Sequence, residues 1–194
     1  MDSPTALPRS IPSEPDARLH KGRLCRLDPL AYTGRACVHW TMSLEKRASG
    51  WLDDLMHARL REILLHVCAR YSLVCPAYCL MPDHAHFLVM GIGADADQRP
   101  ALRMLRRQWT SLLPHGMALQ RQSYDHVLRE KERARGAFES VAHYILENPV
   151  RAGLVAEYAA WPYAGSLVPG FHSLNPRAAE FWTSFWLVHE AASS

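Results

Sequence analysis

The stretch SLVCPAYCLMPDHAHFLVMG, residues 72–91, decides how the rest of the chain must fold. Its first ten residues form a mostly apolar run of strand length, Pro82-Asp83 punctuates it as a turn, and HAHFLVMG follows as a second strand. Two such runs with so short a break between them predict an antiparallel hairpin. Side chains alternate faces along a strand, so His84 and His86 project to one side while Ala85, Phe87 and Val89 project to the other. Same-face neighbours stand about 7 Å apart at Cα, close enough for two imidazoles to lean onto one cation with bonds near 2.1 Å. An H-x-H pair equally suits the solvated face of a half-covered sheet, so this spacing alone is a weak signal. A zinc site drawing on Cys75 and Cys79 is disfavoured, because on one strand they stand ~13 Å apart. Both read as small buried hydrophobes.

Working outward, ACVHWTMSL (36–44) is a first strand, ended by Ser49-Gly50. Leu52, Leu55, Met56, Leu60, Ile63, Leu64 and Val67 recur at helical steps, with Asp53 and Asp54 in the first turn where the helix dipole favours them. Beyond the hairpin, Pro100 suits the first turn of a second helix whose Leu102, Leu105, Trp109 and Leu112 form one stripe, while Arg103, Arg106 and Arg107 share another face. Pro114 and Gly116 end it, and SYDHVLR (123–129) is a short strand. The order strand, helix, strand, strand, helix, strand predicts an α+β fold on the ferredoxin-like plan, the topology that RNA-recognition modules also use. The aromatic pattern of those modules is not evident.

A third helix is expected from about Gly136. In AFESVAHYILENPVRAGLV (137–155) the buried stripe is Phe138, Val141, Ala142, Ile145 and Leu146, and Tyr144 points about 130° away from its centre. Tyr144 is therefore no simple core tyrosine. Asn148 lies one turn later on nearly the same face, so a phenol and an amide can serve one site. Pro149 offers Asn148 a second role as a helix-ending cap.

Bulk properties set limits on this picture. A chain of 194 residues, 48% hydrophobic and 21% charged, is expected to fold as one ordinary domain with tails. No apolar run approaches the ~20 residues of a membrane span and no signal-peptide core is visible, so the expected location is the cytoplasm and no membrane partner is expected. Five cysteines, Cys25, Cys37, Cys68, Cys75 and Cys79, form no dense framework, and no structural disulfide is expected. The net charge is only +3, but Arg103, Arg106, Arg107, Arg121, Arg129, Lys131, Arg133 and Arg135 crowd one stretch. That cluster would draw a polyanion, or simply solvate a face. The boundaries expected are a flexible lead-in over 1–30, a catalytic domain over 31–168, and a tail over 169–194 that packs back as a short helix.

Taken together, CLMPDHAHFLV (79–89), SYDHVLR (123–129) and HYILENPVRAGLV (143–155) resemble the successive signatures of the REP-associated tyrosine transposases, within the HUH-type single-strand transposase superfamily. The resemblance runs from about 36 to 166 and includes the trailing WPYAGS. It implies a ferredoxin-like sheet with an added helix carrying a nucleophilic tyrosine, Tyr144. It also implies a metal pair at His84 and His86, with Ala85 where a bulky hydrophobe is usual, and Asn148 as a third ligand. The implied cofactor is Mg²⁺ or Mn²⁺ and the implied partner is single-stranded or hairpin DNA, its backbone held by Arg103, Arg106, Arg107 and Arg151. The implied reaction is strand cleavage and transfer through a 5′-phosphotyrosine link, with His126 as an auxiliary candidate for moving the proton. A monomer is favoured over a homodimer, and the alternative function is that of an idle descendant that only binds hairpin DNA.

Overall fold

The structure, a computed structural model, describes residues 26–192. Five antiparallel strands form one sheet in the order β4-β1-β3-β2-β5, with β1 Cys37–Ser43, β2 Leu73–Met81, β3 His84–Gly91, β4 Tyr124–Val127 and β5 Ala164–Leu167. Without β5 this is the ferredoxin-like order expected from the sequence. Helices α1 (Asp54–Arg70) and α2 (Gln98–Leu112) cross one face. Helix α4 (Arg135–Leu146), preceded by the single turn α3 (Glu130–Arg133), crosses the other with α6 (Phe181–Ala192), and a further turn α5 (Asn148–Arg151) follows α4.

The two faces carry separate cores, and strand alternation sorts the residues between them. Val38, Trp40, Met42, Ala85, Phe87 and Val89 meet Leu60, Leu64, Leu105 and Trp109 under α1 and α2. Cys37, Leu88, Met90, Cys79 and Met81 meet Phe138, Ala142, Ile145, Phe181 and Phe185 under α4 and α6. Because β2 is covered on both sides, every one of its residues is buried, which is why it reads as a continuous apolar run. Asp53, expected inside the first turn of α1, stands one residue ahead of it as the N-cap, accepting from the Met56 N–H at 2.7 Å.

Pro76 breaks the alternation of β2. It has no N–H to give the ladder, and the register slips on both sides of it, between Val74 and Ala77 against β3 and between Cys75 and Tyr78 against β5. As a result Cys75 faces the α1 core and Cys79 the α4 core, so the two thiols lie on opposite sides of the sheet. Among the described residues Cys37, Cys68, Cys75 and Cys79 are free and buried.

Two features differ from expectation. Residues 164–167 form a strand on the β2 edge that the strand order read from the sequence did not contain; the run is only four residues long, and at Gly165 a Cβ would stand 2.9 Å from the Tyr78 hydroxyl. The lead-in expected over 1–30 lies outside the described residues as far as 25, but Arg26 pairs with Asp125 of β4 and lies 5.3 Å from the Trp40 ring centre, and Pro29–Tyr32 forms a 3₁₀ turn. At the other end α6 folds its aromatic side onto Phe138, so the tail is part of the second core.

Candidate active site

His84 and His86 share their sheet face with Leu88 and Met90, and that is the face α4 crosses. The helix carrying Tyr144 and the strand carrying the histidine pair therefore lie on the same side of the molecule. α4 packs against β2 and β3 through the stripe read from its spacing. Tyr144 lies off that stripe and is 40% exposed.

The two imidazoles face each other edge to edge. His84 Nε2 and His86 Nε2 are 3.0 Å apart, with ring planes at 89°. Their other nitrogens are held from behind. Asp83 Oδ1 accepts from His84 Nδ1 at 2.5 Å, while His86 Nδ1 lies 3.1 Å from Thr41 Oγ1 and 3.1 Å from His39 Nε2. Asp83 is held in turn by Arg47 at 3.2 Å, which stands at a corner where Lys46 and Arg47 both have φ of 54°. Burial, followed by the neighbouring His39, His84 and Arg151, pushes His86 well below the ordinary histidine range. Burial and then the charge of His126 push His39 down to about 4.

This donor set fits a divalent cation. Neutral rings offer lone pairs, and two nitrogens 3.0 Å apart, each bonded at about 2.1 Å, subtend roughly 90° at a shared ion, the angle between adjacent octahedral ligands. Among the described residues no three of His, Cys, Asp and Glu gather as a metal group. Asn148 stands at the end of α4. Its amide Nδ2 donates to the Ile145 carbonyl at 2.9 Å and reaches the Tyr144 carbonyl at 3.4 Å, so it caps α4 in the structure. With the nitrogen so engaged, the amide oxygen is the atom this side chain could offer a cation.

Arg151 lies against Tyr144. Its guanidinium carbon lies 3.8 Å from the centre of the Tyr144 ring, its Nη2 donates to the Tyr144 carbonyl at 2.9 Å, and its charge acts on both His86 and Cys79. The arginines of α2 are elsewhere. Arg103 and Arg107 belong to the helix on the opposite face. Arg106 is engaged within the fold, donating to Ser123 Oγ at 2.8 Å and to the Gln120 carbonyl at 2.6 Å. His126 shares the active face as the cross-strand neighbour of His39, and its Nε2 is bonded to Glu132 at 3.0 Å. His39, Thr41 and Asp83 were not singled out in the sequence. The signal for the first two was present, since in VHWTM the alternation that buries Val38, Trp40 and Met42 puts His39 and Thr41 on the other face.

No family model matches the chain. Over 147 residues the chain is 24% identical to a protein of Haemophilus influenzae named "Putative REP-associated tyrosine transposase", an overlap covering 69% of this chain and 81% of that one. The chain is thus similar in sequence to a REP-associated tyrosine transposase. A solved structure of a REP-associated tyrosine transposase bound to a REP hairpin has the same fold, at a TM-score of 0.58 and 22% identity, covering 69% of this chain and 78% of that one. No helix among the described residues is long and apolar enough to cross a membrane.

Proposed function

We propose that the protein cleaves and rejoins single-stranded DNA bearing a hairpin, using Tyr144 as nucleophile beside a divalent cation, Mg²⁺ or Mn²⁺, held by His84, His86 and the Asn148 amide oxygen. The observation that carries this is the placement of Tyr144's helix across the sheet face where the two Nε2 atoms converge. When bound, the cation supplies Lewis-acid polarisation of the scissile phosphate and stabilises the charge that develops on it.

The residues divide the work. Tyr144 Oη forms a bond to phosphorus as the bond from phosphorus to the 3′ oxygen breaks, leaving a 5′-phosphotyrosine link and a free 3′ hydroxyl. The phenolic proton is lost in that step and the leaving oxygen gains one. Arg151, lying over the ring, orients the phenol and favours the negative charge it develops. The bond energy is kept in the phosphotyrosine, so attack by a 3′ hydroxyl reverses the step and joins strands without a nucleotide cofactor. His126, tied to Glu132, is left an auxiliary part at most. In this reading the tyrosine acts in cis in a monomer in the cytoplasm. The catalytic unit spans 31–168, and α6 (Phe181–Ala192) packs on it.

The test incubates wild type, Tyr144→Phe and His84→Ala/His86→Ala with labelled hairpin-bearing single strands and Mn²⁺. A covalent adduct in wild type alone is expected. Equal hairpin binding by all three with no adduct from any would leave a binding protein only, and cleavage by Tyr144→Phe would remove the nucleophile assignment. Mixing Tyr144→Phe with the double histidine variant should restore nothing if each chain works alone.

A further inference from the structure

We infer that His39 and Thr41 are positioning residues that hold the proton of His86 on its Nδ1 and so aim its Nε2 lone pair at the point it shares with His84. The inference rests on the metal reading above for its purpose, but its geometry stands independently.

The argument begins with register. Thr41 is the direct cross-strand partner of His86, and His39, two residues back on β1, shares its face. Both reach one end of the His86 ring, with Thr41 Oγ1 and His39 Nε2 each 3.1 Å from Nδ1, while the opposite end, Nε2, meets His84. A neutral imidazole has a single N–H, and whichever nitrogen carries it has no lone pair for a ligand. A hydroxyl accepts as readily as it donates, so Thr41 Oγ1 takes the Nδ1 N–H once a cation draws on the Nε2 lone pair, and an unprotonated His39 Nε2 offers a second acceptor on the same side. The Nε2 lone pair is then free.

His39 is not a third ligand in this arrangement. Its Nε2 is committed behind His86, and its ring centroid stands 5.2 Å from that of His86 on the side away from His84. The two members of the pair are also held by different chemistry, and burial explains the difference. His84 lies at the turn, where a solvated carboxylate, Asp83, accepts from it. His86 is 9% exposed, and a carboxylate set beside it would be stripped of water, whereas a hydroxyl and a neutral imidazole are far less costly to bury. Metal-bound histidines generally depend on such partners, and losing them typically lowers metal affinity about 10–100-fold.

The experiment compares wild type with Thr41→Val, His39→Leu, their combination, and the conservative Thr41→Ser. Long-range ¹H–¹⁵N correlation of the histidine rings reads the His86 tautomer in protein titrated with diamagnetic Mg²⁺, where the cation takes the place of a hydrogen between the two Nε2 atoms, and electron paramagnetic resonance of free Mn²⁺ reads affinity. Wild type and Thr41→Ser should show His86 protonated on Nδ1. At the same Mg²⁺ the combined variant should show the Nε2–H form or a mixture, with Mn²⁺ affinity lower by about 10–100-fold. An Nε2–H form in Mg²⁺-loaded wild type, or an unchanged tautomer and affinity in the combined variant, would overturn the inference. A wild type that binds neither Mg²⁺ nor Mn²⁺ would sink the metal reading itself. Should the combined variant not fold, the near-isosteric Thr41→Val carries the same comparison.

Discussion

Arg151 lays its guanidinium over the ring of Tyr144, 3.8 Å from the ring centre, and the same cation acts on His86. Expected from the sequence as a holder of DNA backbone, it lies in the structure against Tyr144. A guanidinium over a partly exposed aromatic ring is worth about 0.5–2 kcal/mol, or roughly 2- to 30-fold in rate if the contact is lost on the way to the transition state. Arg151→Gln should slow single-turnover adduct formation by that factor. Mn²⁺ affinity should hold, which would separate this role from that of the histidines.

Asn148 serves two ends of one amide, and two substitutions separate them. Asn148→Asp keeps an oxygen for the cation but loses the donor to the Ile145 carbonyl and sets a negative charge at the end of α4. It should lower stability by about 1–2 kcal/mol in urea unfolding while retaining Mn²⁺ binding. Asn148→Ala should lose both.

A second polar cluster, on the opposite face, sets a pH dependence of folding. His57 Nε2 lies 2.9 Å from the Tyr78 hydroxyl, which also accepts from Arg61. With that acceptor role filled, Tyr78 donates its proton to a neutral His57. Burial, and then the Arg61 charge, push His57 down from 6.5 to about 4. A histidine with a depressed folded pKa binds fewer protons folded than unfolded, so stability is full above about 6.5 and falls as pH drops towards 4. His57→Gln should flatten part of that acid limb in thermal melts between pH 7 and pH 4, and an unchanged slope would refute the assignment.

Gly91 ends the strand that carries the histidines, and nothing larger fits. A Cβ there would lie 1.9 Å from the Gly34 carbonyl oxygen and 2.9 Å from Ala96 Cβ. Backbone cannot swing aside as a side chain can, so Gly91→Ala should cost about 2–3 kcal/mol, seen as a lower urea midpoint.

The arginines of α2 should separate in a salt titration of hairpin binding. Arg103 and Arg107 are exposed, and if both meet phosphates their joint replacement by alanine lowers the slope of log K against log salt by about 1.8. Arg106→Ala should leave the slope alone and lower stability, because Arg106 clasps the 120–123 segment.

The three central strands, α1, α2 and the tyrosine helix were legible because each carries a long, regular pattern: alternation in 84–91, helical steps in 54–70 and 98–112, and the apolar stripe of 138–146. Strand β5 was not, since four residues with one large side chain give no period, and its place is set by a long-range fit against Tyr78. His84, His86 and Tyr144 could be picked out by face and motif. Their supporting residues are harder to find, because Thr41 meets His86 only through a cross-strand register that neither strand encodes alone. The same holds for Arg106, whose exposed-looking position on α2 conceals its bonds to a loop 14 to 17 residues away.

The hairpin joins Met81 directly opposite His84, with only Pro82 and Asp83 between. This makes the chemistry of the protein a matter of parity. One residue inserted after Asp83 would swap odd for even along all of β3, driving both imidazoles in against Trp109 and turning Phe87 outward, with no catalytic side chain altered. Inheritance of this site therefore constrains the length of a turn as tightly as the identity of the residues beside it.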